Sequence, residues 1–286
     1  MIRLSKGATK RLFVLTSLLF LSSFNPISSV FEDVKTGYVL FFDLGDVLLE
    51  TNKKTAFWLT PGIFLKNALK HGIPSGASIT KRLFELIDHQ TGNAPRGSAT
   101  ATCDNIAVPK IMCDWLEGAI SSEEFIEIVT NISPNDPFFK SFAEGELLIN
   151  TAKLMLPNQL VKIHRTSKLL KIFHRCCAHD ANRVCILSNW DRSSIELLKK
   201  KFPEIFAKID DSQILFSGEL GCKKPDAAIF MHAANKTGTK LHRCVLVDDQ
   251  ITNIAGARRC GWKAVLHTNT NLTAQILTDF YGFPCI

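Results

Sequence analysis

Tyr38-Val-Leu-Phe-Phe42 runs directly into Asp43-Leu-Gly-Asp-Val-Leu48. A short continuous apolar run reads as a strand buried on both faces, the kind found in parallel sheets. An acid at the C-terminal end of such a strand lies on the edge where open α/β sheets place their ligands. Asp43 is therefore a candidate nucleophile or metal ligand. Taken alone, the pattern also fits a strand that simply ends in a solvated Asp.

Three later segments change that balance. Arg183-Val-Cys-Ile-Leu187 is a second apolar run, ending in Ser188-Asn189, and Arg243-Cys-Val-Leu-Val247 is a third, ending in Asp248-Asp249. Between them, Gly221-Cys-Lys-Lys-Pro-Asp226 supplies Lys224 beside a proline. The strand ends of a parallel sheet share one edge, so Asp43, Ser188, Lys224, Asp248 and Asp249 are expected to converge. Their chemistry then fits one task. Asp43 would attack phosphorus, Asp248 and Asp249 would hold Mg²⁺, Ser188 would bond a phosphoryl oxygen, and Lys224 would neutralise charge on nucleophile and phosphate.

In the order Asp, Ser, Lys, Asp-Asp the chain resembles the haloacid dehalogenase (HAD) superfamily of aspartate-nucleophile hydrolases, over Tyr38 to His267. The resemblance puts Asp43 on the family's nucleophile, Ser188 on its phosphate-binding hydroxyl, Lys224 on its lysine, and Asp248 and Asp249 on its metal-binding acids. It implies Mg²⁺ as cofactor, held by Asp43, the Gly45 carbonyl, Asp248 and Asp249. Ser188, Asn189, Trp190 and Lys224 are the expected substrate contacts. Leu187-Ser-Asn-Trp190, Lys201-Phe-Pro-Glu-Ile-Phe206, Ser217 to Asp226, Val247 to Asn253 and the segment Trp115 to Phe125 resemble the branch of sugar-1-phosphate phosphatases and soluble epoxide hydrolase phosphatase domains.

One departure stands out. The family pattern has a second Asp two residues after the nucleophile, acting as general acid and base, where this chain has Gly45 followed by Asp46. In an extended segment a one-residue displacement turns a side chain to the opposite face. Asp46 is thus expected to point away from the site.

The strands at 38–42 and 183–187 are separated by far more chain than one crossover helix requires, which implies an insertion. Ile63 to Lys70, Ile79 to Asp88, Ile106 to Glu117 and Ser122 to Val129 carry helical apolar spacing with no hairpin signal between them, and Gly92 to Ser98 reads as a loop. The expected architecture is α/β, a Rossmann-like parallel sheet core (36–50 and 161–286) with an inserted helical cap (51–160). The core resumes with a helix from Leu160 to Cys177, then strands at Gln213 to Phe216, Arg243 to Val247 and Lys263 to His267, and a helix from Asn253 to Arg259 ended by Gly261. Phe57, Trp58, His71, Trp115 and Trp190 are candidates for the pocket wall, with Phe57 and Trp115 better read as core.

The chain has 286 residues, 46% of them hydrophobic, enough for a substantial core. Its net charge of +7 is concentrated at one end: without residues 1–29 the balance is 30 basic to 27 acidic. This argues against nucleic acid as a partner, and Lys199-Lys-Lys201 reads as a solvated helix end. Arg3, Lys6, Lys10 and Arg11 precede the apolar Leu12 to Phe24 and then Asn25-Pro-Ile-Ser-Ser29, the order of a signal peptide. Residues 1–29 are expected to direct export, periplasmic or secreted, with an anchor through residues 12–24 as the runner-up; no stable membrane insertion is expected after cleavage. Of nine cysteines, Cys185 and Cys244 fall inside buried strands, and Cys176-Cys177 and the pair Cys103 and Cys113 are the candidates for oxidation. No zinc spacing is present, and Asn131, Asn235 and Asn271 each begin an Asn-x-Ser/Thr triplet.

The expected function is Mg²⁺-dependent hydrolysis of a small phosphorylated metabolite, a sugar phosphate among the candidates, through an aspartyl-phosphate. The alternatives are an exported phosphate-binding or interaction module that lost turnover, motivated by Gly45, and a 2-haloacid dehalogenase, disfavoured by Asp248-Asp249. Sequence leaves the oligomeric state open.

Overall fold

The computed structural model describes residues 37–52, 55, 76–90, 102–103 and 106–285. Residues 1–29, the expected signal peptide, the expected helix at 63–70, the expected loop at 92–98 and Phe57, Trp58 and His71 lie outside the described residues. Residues 38–286 form one compact unit.

The chain enters through β1 (Val39–Phe42), every residue of which is buried, and turns back into β2 (Leu49–Thr51). Next come α1 (Gly76–Gln90), β3 (Thr102–Cys103) and β4 (Ile106–Ala107). These are followed by α2 (Lys110–Leu116), α3 (Ser122–Thr130), α4 (Phe142–Lys153) and α5 (Pro157–Ile163). The strand β5 (His164–Thr166) returns antiparallel to β2, pairing Thr51 with His164, so this two-stranded ribbon brackets the insertion. The core then runs α6 (Leu170–Asp180), β6 (Val184–Ser188), α7 (Ser194–Lys201), β7 (Ile214–Phe216), α8 (Ala227–Lys236) and β8 (Cys244–Asp248). It closes with α9 (Ile251–Arg259), β9 (Lys263–Leu266) and α10 (Thr270–Tyr281).

The main sheet has the order β7-β6-β1-β8-β9, with every pair parallel. Its central strand β1 is the point where strand order reverses, and the C-terminal ends of β1, β6 and β8 lie side by side there. Alternate β1 residues feed opposite faces. Leu40 and Phe42 join one apolar cluster with Phe173, Ile186 and Val247, while Val39 and Phe41 join another with Phe230, Leu246 and Trp262. A third cluster, with Phe84, Trp115, Phe125 and Leu148, lies within the segment inserted between β2 and β5, hereafter the cap.

Local chemistry explains the cap helices. Ser121 accepts a bond from the Glu124 N–H at 3.1 Å and caps α3, whose first turn carries Glu123 and Glu124. The expected helix from Ile106 instead begins at Lys110, after the β3–β4 pair. Pro109 disfavours helical backbone at Val108, and Ile106 and Ala107 are taken up by pairing with β3. The expected helix over Leu160 to Cys177 is likewise divided, because His164 to Thr166 is claimed by pairing with β2. Gly261 has φ +82° just past the end of α9, a conformation that favours glycine.

Polar contacts join cap to core. Lys223 Nζ lies 2.6 Å from Glu117 of the cap and 3.1 Å from Asp226 of the core. Ser217 Oγ donates to the Leu116 carbonyl at 2.6 Å, and Ser122 Oγ to Asp191 at 3.2 Å. Gly118 sits so close to Gly218 that an added Cβ would meet its carbonyl oxygen at 2.6 Å.

Candidate active site

The end of β1 presents Asp43, buried, with its backbone N–H donating to Val247 of β8 at 3.0 Å. Lys224, fully buried, lies under the same edge. Its Nζ is 2.6 Å from Asp248 Oδ2, 3.0 Å from Asp43 Oδ1, and donates to the Leu187 carbonyl at 2.9 Å. Burial alone would lower the Lys224 ammonium, but Asp248 and Asp43 outweigh it and hold its pKa above the ordinary value. The Leu44 N–H also bonds Asp43 Oδ1, at 2.8 Å, and the nearby Ser188 side chain favours the charged form of the same carboxyl.

Oxygen atoms of Asp43, Asp248 and Asp249 lie within 4.8 Å of one another. Against three carboxylates, the ammonium in contact among the described residues is that of Lys224. Burial first, then Asp248, push Asp43 up to about 6 despite the opposing pull of Lys224. Burial, then Asp43, Asp248 and Asp46, push Asp249 up to about 7. Crowded hard-oxygen donors with uncompensated negative charge fit a divalent cation such as Mg²⁺. The residues present therefore suit that ion.

The expected site residues take distinct places. Asp248 accepts from the Gln250 N–H at 2.8 Å and from Asn253 Nδ2 at 3.1 and 3.2 Å as well as from Lys224 at 2.6 Å. Asp249 is more open and is held by Gln250 Nε2 at 2.6 Å. Asn189, expected at the substrate, spends both ends of its amide on Lys224: Nδ2 donates to the Lys224 carbonyl and Oδ1 accepts from the Lys224 N–H, each at 2.8 Å. It fixes the lysine loop.

Trp190 also departs from the expected substrate-facing ring. It is 6% exposed, belongs to the core cluster under β1, and packs edge-on against His164 with ring centres 5.4 Å apart. Trp115 is cap core, stacked on Phe125 at 4.3 Å.

Gly45 and Asp46 differ from the expectation in an informative way. An Asp46 side chain turned to the opposite face requires an extended chain there. Asp46 instead has φ 50°, a left-handed turn that Asp tolerates better than most residues. Its charge adds to the upward push on Asp249 and opposes the lowering of His164 by burial. Beside it, a Cβ added to Gly45 would meet nothing within 4 Å.

Asn253 and His164 were not singled out from sequence. Asn253 sits one turn into α9, five residues after Asp248, where a helix start returns a side chain toward the preceding strand end. His164 gives no local signal, since only the β2–β5 pairing places it.

The chain matches the model of the haloacid dehalogenase-like hydrolases over residues 39–261. It belongs to that family and is an enzyme of hydrolase type. A HAD family enzyme from Bacteroides thetaiotaomicron has the same fold, with TM-score 0.50 and 15% identity over 81% of this chain and 93% of that one. A variant of that enzyme, in complex with magnesium and inorganic phosphate, matches with TM-score 0.50 and 15% identity over 81% of this chain and 95% of its own. Drimenol cyclase drtB from Aspergillus calidoustus is 30% identical over 127 residues, 42% of this chain but 23% of that protein. The chain thus spans under a quarter of that relative.

Proposed function

We propose that the protein is a Mg²⁺-dependent phosphomonoesterase that hydrolyses a small phosphorylated metabolite through an aspartyl-phosphate on Asp43. The observation that carries this reading is the convergence of Asp43, Asp248 and Asp249 on one another, with Lys224 buried against the first two. Lys224 and the Leu44 N–H both engage Asp43 Oδ1, so Oδ2 is the attacking oxygen. Lys224 restrains the carboxylate as its negative charge passes to the phosphoryl group. The Ser188 hydroxyl, beside Asp43, is the donor available to a phosphoryl oxygen. Asp43, the Gly45 carbonyl, Asp249 and Asp248 would hold Mg²⁺, which supplies charge neutralisation for the transferring phosphoryl group. Water then cleaves the acyl phosphate and regenerates Asp43.

The magnesium and phosphate complex of the Bacteroides variant supports the phosphatase reading over haloacid hydrolysis. So does Asp249, since a carboxylate raised to about 7 by burial and then by its acidic neighbours calls for a cation that dehalogenation does not need. The test is phosphate release from aryl, anomeric and alkyl phosphates with Mg²⁺ or with EDTA. Turnover that survives EDTA would remove the metal assignment, and halide release from a chloroacid without metal would replace the phosphatase reading. Export with cleavage after Ser29 belongs to the same proposal, and rests on the basic-then-apolar order of residues 1–29. A mature chain beginning near Val30 is its check.

A further inference from the structure

The C-terminal tail folds back as a strap. Gly282, at φ 73°, ends α10 in a left-handed turn and reverses the chain. Phe283 is then fully buried, with its N–H on the Leu277 carbonyl at 3.1 Å, and it packs edge-on to His179 with ring centres 5.8 Å apart. The Arg183 guanidinium lies 5.2 Å from the Phe283 ring centre. Two residues on, the Cys285 N–H donates to Thr278 Oγ1 at 3.1 Å and Arg175 Nη1 donates to the Cys285 carbonyl at 2.6 Å. Backbone and ring contacts thus fix Cys285 against α6.

There the Cys285 sulfur lies 3.3 Å from the sulfur of Cys176, with Cys285 1% and Cys176 0% exposed. Cys177, next in the chain, is not part of this contact. We infer that Cys176 and Cys285 form a disulfide that fastens the C-terminal strap to α6. Closing the bond brings the sulfurs to ~2.05 Å, a movement of about 1.3 Å. The loop it closes, from 176 to 285, contains Ser188, Lys224, Asp248 and Asp249, so one covalent link encloses every core motif after β1.

The chemistry balances by exchange with a low-molecular-weight disulfide such as oxidised glutathione. Cys285 is the attacking thiol because it lies on the strap after α10, whose lifting exposes it, and its proton passes to solvent. When the strap lifts, the Cys285 thiolate attacks one glutathione sulfur, forms a mixed disulfide and expels one glutathione thiolate. Cys176 gives its proton to solvent, attacks the Cys285 sulfur as the strap closes, and expels the second glutathione thiolate. Two protein thiols lose two electrons and the oxidant gains them.

The test uses the full chain, equilibrated in oxidised glutathione or in reductant, alkylated and digested with trypsin. The expected product joins the peptide beginning at Cys176 to the C-terminal peptide, lighter than the two reduced peptides by two hydrogen atoms, with fragmentation assigning Cys176. Oxidation is expected to raise the melting temperature by about 5–15 °C, as a crosslink closing a loop this long should. The gain should vanish in Cys285→Ser and persist in Cys177→Ser. The wild-type oxidised and reduced pair stands by itself if Cys285→Ser folds poorly. Thiols at 176 and 285 that remain alkylated, a bond from Cys285 to another cysteine, or a linked protein that melts no higher would overturn the inference.

Discussion

Lys224 Nζ lies closer to Asp248, at 2.6 Å, than to Asp43, at 3.0 Å. The lysine is thus anchored by the acid of one strand and offered to the nucleophile of its neighbour. Removing one partner of a buried ion pair typically costs about 3–5 kcal/mol. Asp248→Asn is therefore expected to lower stability by about that much and turnover by ~10²-fold or more. Asp249→Asn should instead raise the Mg²⁺ concentration needed for half-maximal rate with a smaller loss of stability. Thermal melts and Mg²⁺ titrations of the two variants check this, and equal melting temperatures would contradict it.

Gly45 has open space where a side chain would go, and its backbone is not left-handed. Gly45→Asp is accordingly expected to fold with wild-type stability. A positioned acid contributes ~10²–10⁴-fold, so the substitution should raise turnover of alkyl phosphates more than of aryl phosphates. An unchanged leaving-group dependence in the folded variant would mean that another group already carries the proton. Asp46→Ala decides whether that group is Asp46; the account predicts a smaller loss there than in Asp43→Asn.

The strands that carry the motifs were legible because Val39 to Phe42, Val184 to Ser188 and Cys244 to Asp248 are apolar on both faces and end in polar residues. That pattern survives without tertiary information. The roles of Asn189, Trp190 and Asp46 were not legible, since each depends on where another segment folds. Asn189 is claimed by the Lys224 backbone, Trp190 by the core beside His164, and Asp46 by a left-handed turn. β5 was hidden for the same reason, its short apolar-poor sequence being extended only by pairing with β2.

The acidic cluster predicts a pH-dependent response to metal. Asp43 and Asp249 stand at about 6 and about 7 in the folded chain, against 3.8 for an ordinary Asp. The folded metal-free protein therefore binds more protons than the unfolded chain. This contribution is fully present below the ordinary value and is lost as pH rises through the folded values. Mg²⁺ takes the place of those protons, so the rise in melting temperature on adding Mg²⁺ should be larger near pH 8 than near pH 5. Melts with Mg²⁺ or EDTA at both values check it, and a shift larger at the lower pH would contradict it.

Lys223 ties Glu117 of the cap to Asp226 of the core. Lys223→Met should cost about 1 kcal/mol, because both acids keep access to water. Its larger effect is expected on KM, through weaker seating of the cap. Steady-state kinetics on one good substrate check this, and a fall in kcat at constant KM would contradict it.

The most direct measurement is a single turnover with an aryl phosphate and Mg²⁺, quenched in acid, followed by mass spectrometry of the peptide containing Asp43. The account predicts one added phosphoryl group on Asp43, decaying as free phosphate appears and absent from Asp43→Asn, which should be inactive. Phosphate release with no label at Asp43, and with activity retained in Asp43→Asn, would contradict it.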